Sequence, residues 1–221
     1  MAIVAQERFS EIQKAVAARS ALIDSQHQAA LCLFNGFSEG CSGLVIDLYG
    51  RTLVIFNQSD SPQELDALIL LAQHWLLEYF PWVQAVIVKT RRSKEESLRR
   101  GVLTYGQQSD QQITEHGVRY AVELTLNQDA SLYLDTRNLR GWLHRSMRGK
   151  RVLNTFAYTG SLGAAALAGG ASSVVQLDLN DRFLNLARRT YALNNLPIQE
   201  LDFKTGDFFR VISSLKQQRQ L

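Results

Sequence analysis

The stretch RVLNTFAYTGSLGAAALAGGASSVVQLDLN (Arg151–Asn180) decides the fold class. RVLNTFA is a nearly continuous apolar run, the pattern of a parallel strand covered on both faces. Gly160 and Gly163 follow, then an alanine-rich helical segment, then a second strand, SSVVQLDLN, closed by Asp178. A strand, glycine turn, helix and second strand make the unit of an α/β protein with a parallel sheet.

A turn of this kind sets backbone N–H groups and a helix amino terminus against a ligand, and glycines let that ligand approach closely. The alternative is that the two glycines serve packing alone. Asp178 stands where a carboxylate accepts hydrogen bonds from both hydroxyls of a ribose, an arrangement shared by dinucleotide and S-adenosylmethionine sites. The spacing here, Gly-x-x-Gly rather than G-x-G-x-x-G, weakens the dinucleotide reading. Further on, DRFLNLARRTYALNNL reads as a helix, and LDFKTGD as a third strand ending at Asp207. That carboxylate can accept from an adenine amino group, or cap a helix beginning at FFRVISSL, or do both.

Upstream, the apolar spacing predicts a helix over Arg8–Ile23, and SGLVIDLYGRTLVIF predicts two strands around Tyr49-Gly50-Arg51. SPQELDALILLAQHWLLEYF predicts a core helix with Ser61 as cap, Pro62 at its first position and Glu64 completing a capping box. With VQAVIVK as a further strand, this gives a small β-β-α-β module. The polar run YGQQSDQQ (Tyr105–Gln112) is the best linker, and ITEHGVRYAVEL predicts a hairpin turning at His116-Gly117.

Composition bounds the function without choosing it. With 46% apolar and 20% charged residues, the 221-residue chain has the make-up of a soluble globular protein. A formal charge of +3 permits an acidic partner but does not demand one. No secretory leader and no apolar run long enough for a membrane span is evident, so a cytoplasmic protein without membrane attachment is expected. Cys32 and Cys41 read as structural thiols, and no metal site is expected from the scattered histidines. KTRRSKEESLRRG (Lys89–Gly101), six basic residues against two acidic, either tracks a phosphate backbone or is a solvated face.

Asn154-Thr155-Phe156-Ala157-Tyr158-Thr159-Gly160 carries a more specific signal. It resembles the cofactor motif of the S-adenosylmethionine-dependent methyltransferases that modify large-subunit ribosomal RNA. LYLDTRNLR (Leu132–Arg140) is similar to a segment that precedes the family's cofactor domain. FNGFSEGCSGLVIDLYG (Phe34–Gly50) resembles another family signature, with departures at Phe37, Ser38, Glu39, Cys41 and Ser42.

The resemblance implies a small α+β module over residues 1–108, followed over 109–221 by the first part of a Rossmann-like class I methyltransferase domain. It implies S-adenosyl-L-methionine as cofactor and RNA as partner. Tyr158, Thr159 and Gly160, with Asn154, Phe156 and Gly163, would form the cofactor turn. Asp178 would hold the ribose and Asp207 the adenine. Asp135, Arg137 and Arg140 would stand at the pocket mouth, or else form an ion-pair cluster at a helix start. The resembled family draws its base-orienting groups from an Asp-Pro-Pro motif after a fourth strand. Neither is found before Leu221, so no catalytic residue is assigned. Two readings stay open: an RNA methyltransferase represented by an incomplete chain, and a cofactor-binding remnant without methyl transfer. A nicotinamide-dependent oxidoreductase is a third, for which no hydride-accepting site is found. An unpaired edge on the first parallel strand is expected to favour dimers or aggregates.

Overall fold

The computed structural model describes residues 2–217, with the side chains of residues 2–5 left aside. It divides into two compact units, residues 1–113 with 123–130, and residues 114–122 with 131–221.

The first unit is built on five strands in the order β1 (Ala30–Asn35), β2 (Leu44–Tyr49), β3 (Thr52–Asn57), β4 (Ala85–Thr90) and β5 (Val102–Tyr105). Helices α1 (Ala2–Arg19) and α2 (Asp66–Tyr79) pack on it, and a short helix α3 (Glu96–Arg100) precedes β5. Phe9, Ile12, Leu33, Leu44, Ile46, Leu53, Ile55, Leu68, Ala72 and Leu76 share one core. The hairpin β2–β3 turns where expected, at Gly50 with φ of 62°. The module is larger than β-β-α-β, because β1 and β5 flank it. The exposed side chains of β5 show no alternation that a sequence reading can use.

The start of α2 departs from the expected capping box. Pro62 opens a 3-10 turn, Pro62–Leu65, and the Ser61 side chain caps nothing. The buried Asn57 amide fixes this turn instead, donating to the Pro62 carbonyl at 2.9 Å while its oxygen accepts from Ser59 N–H at 3.2 Å.

Two polar side chains inside this unit were not anticipated. Lys89, 1% exposed, donates to the carbonyls of Arg100, Asn127 and Asp129 at 2.7, 2.8 and 2.8 Å. Its three N–H donors are thus consumed internally, and burial pushes its pKa down to about 7. Lys89 therefore drops out of the basic stretch read as a phosphate track. Opposite Cys32 across the β1–β2 ladder stands Asp47, whose carboxyl is pushed up to about 7 by burial, with the Cys32 thiol hydrogen-bonded to it. Burial, with Asp47 beside it, pushes Cys32 up to about 12, which keeps the thiol unreactive at neutral pH.

A titration effect follows. The folded Asp47 carboxyl titrates near 7, above its unfolded value, so the penalty of burying its charge is full above that pH and gone below about pH 4. Asp47→Asn is expected to stabilise this unit by roughly 1 kcal/mol at pH 8, after discounting for solvent screening, and not at pH 4. Urea denaturation of both proteins at the two pH values measures this. Coincident midpoints at pH 8 would refute it.

The second unit carries the hairpin β6 (Gln112–Glu115) and β7 (Val118–Ala121), whose turn is formed by His116 and Gly117 at φ of 52° and 78°. Its first two residues, Gln112 and Ile113, count with the first unit. Then come α4 (Arg137–Ser146), β8 (Arg151–Thr155), α5 (Ser161–Ala168), β9 (Ser173–Asp178), α6 (Asp181–Leu193), β10 (Phe203–Thr205) and α7 (Phe208–Gln217). Strands β10, β9 and β8 lie side by side in that order, all parallel, as β-α-β crossovers produce. Among the described residues β8 pairs on one side only. The small side chains of Ala164, Ala165 and Ala166 let α5 sit close to this sheet.

Candidate functional site

The parallel register brings three strand ends together. Thr155 pairs with Leu177, and Asp178 with Thr205, so the segments after β8, β9 and β10 emerge side by side at the carboxyl edge of the sheet. Ligands of open parallel sheets bind at this edge.

The segment after β8 is held in an uncommon backbone conformation. Phe156, Tyr158 and Gly160 have φ of 53°, 50° and 71°. Two of these are bulky non-glycine residues in the left-handed region, which needs support from elsewhere. Asp178 supplies it: its Oδ2 accepts from Tyr158 N–H at 2.7 Å, while Oδ1 accepts from Asn180 N–H at 3.0 Å. Ala157 N–H also bonds to the Leu177 carbonyl at 2.8 Å. The Tyr158 ring lies between Tyr133, 5.0 Å away, and Phe183, at 4.6 Å edge to face. The Thr159 hydroxyl, buried, donates to the Ser131 carbonyl at 2.5 Å, leaving its backbone as the part a ligand can use.

Asn154, Gly160 and Gly163 meet beneath the turn on a residue that sequence reading passed over. Gln176, fully buried in β9, accepts from Asn154 Nδ2 at 2.7 Å and donates to the Gly160 carbonyl at 3.0 Å and to Tyr191 Oη at 3.1 Å. Its amide fills the space that a Cβ on Gly163 would need. A Cβ on Gly160 would run into the Ala187 methyl. Both glycines thus serve close packing under the turn, whatever lies above it. The available signal was a lone polar residue inside the apolar run SVVQLD.

Asp207 stands exposed after β10, where its Oδ1 accepts from Arg210 N–H at 3.1 Å, so it caps α7. Its other oxygen has no protein partner among the described residues. The preceding Gly206 N–H bonds to the Asp178 carbonyl at 2.9 Å, which ties the two carboxylate-bearing ends together. Around them Phe156, Leu179 and Phe209 are about three-quarters exposed, and Phe156 stacks on Phe208 at 5.2 Å. Two carboxylates rimmed by exposed apolar side chains suit a ligand with hydroxyl or amine donors and a flat apolar body.

The arginine segment divides. Asp135 is exposed in a 3-10 turn, Leu134–Thr136, and Arg137 is half-buried at the start of α4. Arg140 corrects the expectation of a pocket-mouth cation. It is fully buried, with Nε and Nη2 at 2.8 and 2.7 Å from Glu115 Oε2, and Nη1 on the Tyr133 carbonyl and Thr136 Oγ1 at 2.8 and 2.7 Å. A guanidinium held this way cannot meet a cofactor carboxylate or a phosphate. No cluster of residues suited to a metal ion occurs among the described residues, and no described helix is long and apolar enough to cross a membrane.

Comparison with known proteins agrees with this architecture. A family model described as S-adenosylmethionine-dependent methyltransferase matches residues 44–220. The Ribosomal RNA large subunit methyltransferase I of Shigella flexneri is 31% identical over 186 residues, 83% of this chain and 47% of that protein. YwbD of Bacillus subtilis, provisionally named a ribosomal RNA large subunit methyltransferase, is 32% identical over 210 residues, 93% of this chain and 52% of its own. This chain therefore spans about half the length of the curated relatives it matches. Among solved structures, a Streptococcus mutans protein provisionally titled a SAM-dependent methyltransferase superposes with a TM-score of 0.83 at 24% identity, over 97% of this chain and 56% of that one. The structure of SMU.776, provisionally a methyltransferase and complexed with SAH, gives 0.82 at 24% identity, over 97% and 55%. The carboxyl-edge turn on a Rossmann-like sheet and the match over residues 44–220 place this chain in the S-adenosylmethionine-dependent methyltransferase family.

Proposed function

We propose that this chain holds S-adenosylmethionine at the carboxyl edge of β8, β9 and β10, as part of an enzyme that methylates a base of large-subunit ribosomal RNA. The observation that carries the cofactor part is the Asp178 carboxylate locked against the positive-φ turn at Tyr158. Asp178 lies at the same sheet edge as Asp207, and the acceptor capacity that its two backbone bonds leave suits the two ribose hydroxyls. Asp207 suits the adenine amino group, with Phe156 and Phe208 offering apolar surface to a flat base. The backbone from Tyr158 to Gly160 suits the methionine end. When bound, the cofactor supplies an electrophilic methyl group on a sulfonium.

The RNA part is supported by the names of relatives at 31% and 32% identity. Family membership favours the enzyme over a remnant.

Titration calorimetry with S-adenosylhomocysteine and with NAD, on the same preparation, tests the cofactor reading. Binding of the former with no measurable heat from the dinucleotide is expected, because the turn offers two carboxylate-bearing strand ends and not a G-x-G-x-x-G pyrophosphate cradle. Binding of NAD alone would overturn it.

A further inference from the structure

Charge is divided unevenly between the two units. The first carries ten Lys and Arg against fourteen Asp and Glu, a formal −4, while the second carries fourteen against seven, a formal +7. The modest +3 of the whole chain hides this asymmetry. It turns attention from Lys89–Gly101, which lies in the acidic unit, to a stretch of the basic unit.

From Thr136 to Leu177 there is no Asp or Glu. Arg145, Arg148, Lys150 and Arg151 fall within seven residues there, and all four are exposed. Local structure gathers them. Arg145 lies in the last turn of α4, and Lys150 N–H bonds back to the Met147 carbonyl at 3.0 Å. Gly149, at φ of 71°, turns the chain directly into β8. The facing loop is Gly169-Gly170-Ala171-Ser172, small and uncharged, joined through Gly149 N–H to Gly170 O and Ser172 N–H to Lys150 O, both 2.8 Å. It brings no counter-charge. Arg145, Arg148 and Lys150 enter no ion pair among the described residues. Compensation of the α4 dipole accounts for Arg145 at most, since the effect fades within the last turn. Three residues before Arg145, on the same helical face, Trp142 is half exposed.

This cluster sits at the amino end of β8, and the cofactor turn sits at its carboxyl end. Five residues at about 3.3 Å each separate the two by about 16 Å, too far for these cations to hold the cofactor. Exposed cations beside an exposed aromatic side chain are the components of a single-stranded nucleic-acid platform, where phosphates meet charge and a base stacks. We propose that Trp142, Arg145, Arg148, Lys150 and Arg151 form an RNA-contact surface at the amino edge of the sheet, which holds a single-stranded segment of the substrate away from the methyl-transfer site. The choice of RNA over another polyanion rests on the function proposed above.

The test uses the whole chain and a labelled 12-nucleotide oligouridine, with a 16-base-pair RNA duplex in parallel, by fluorescence anisotropy between 50 and 400 mM salt. In the variant Arg145→Gln/Arg148→Gln/Lys150→Gln/Arg151→Gln, oligouridine affinity is expected to fall at least tenfold near 100 mM salt. The log–log salt slope should become shallower by about two to three, at about 0.7 for each phosphate no longer neutralised. Trp142→Ala should weaken oligouridine about five- to a hundredfold and leave the duplex unchanged. S-adenosylhomocysteine affinity within twofold of the parent certifies that the variants are folded. An unchanged slope and affinity in the quadruple variant would overturn the proposal. So would polyglutamate of equal charge displacing the RNA as well as unlabelled RNA does. RNA binding through these cations by a chain that binds no S-adenosylhomocysteine would sink the methyltransferase reading and leave this surface standing.

Discussion

Arg140→Ala is expected to destabilise the second unit by about 3 to 5 kcal/mol, the range for breaking a buried ion pair by removing one partner. The reason is the Glu115 left behind. Both side chains have no solvent exposure, and Arg140 supplies a charge-assisted hydrogen bond from Nε to Glu115 Oε2 and an ion-pair contact from Nη2 to the same oxygen. Without it a carboxylate stays in a dry site, and the Tyr133 carbonyl and Thr136 hydroxyl each lose their bond to the guanidinium. The guanidinium also stands 5.6 Å over the Tyr120 ring, so its attraction to the ring face disappears as well. Hydrogen exchange localises the effect: amides of β6, β7 and α4 should lose protection, while those of β2, β3 and β4 keep theirs. The double variant Glu115→Leu/Arg140→Met should recover most of the stability, because a well-packed apolar pair often replaces a buried ion pair at little cost. A single variant within 1 kcal/mol of the parent, by urea denaturation, would show that water reaches the pair and that Arg140 is not the anchor of α4.

Arg140 also shows where sequence reading stops. Its pairing partner is 25 residues upstream on a different element, and the acceptors of Lys89 lie 11, 38 and 40 residues downstream. Nothing local distinguishes these long cations from Arg145 or Arg148, which are exposed, because the default for a charged side chain is the surface. Only tertiary placement reveals the compensation that makes burial tolerable. The strand–turn–helix–strand unit was legible for the opposite reason: continuous apolar runs, glycines and a terminal carboxylate are local patterns, and a parallel sheet imposes the rest. Gln176 falls between the two cases. A polar residue inside SVVQLD is visible in sequence, yet its partners, Asn154, Gly160 and Tyr191, converge only once β8, α5 and α6 are packed.

Asp178→Ala is expected to lower the affinity for S-adenosylhomocysteine about ten- to a hundredfold, the loss of charge-assisted hydrogen bonds worth about 1.5 to 3 kcal/mol. The substitution also reaches the fold. The same carboxylate accepts from Tyr158 N–H and Asn180 N–H, so its removal leaves a positive-φ turn without its strongest support. Stability should fall as well, by about 1 to 3 kcal/mol, the range for leaving a donor unsatisfied. A loss of affinity in the alanine variant alone therefore has two possible origins, a missing ligand partner or a collapsed turn. Asp178→Asn separates them. Asparagine keeps one carbonyl oxygen for Tyr158 N–H and so holds most of the turn, but it lacks the charge and one acceptor that a ribose diol would use. If Asp178 meets the ribose, the asparagine variant should melt near the parent and still bind at least tenfold more weakly in titration calorimetry. If asparagine restores full affinity, the carboxylate acts through the turn and not on the ligand. If even alanine binds within twofold of the parent, Asp178 has no part in holding the cofactor, and the ribose must be met by other groups at the carboxyl edge.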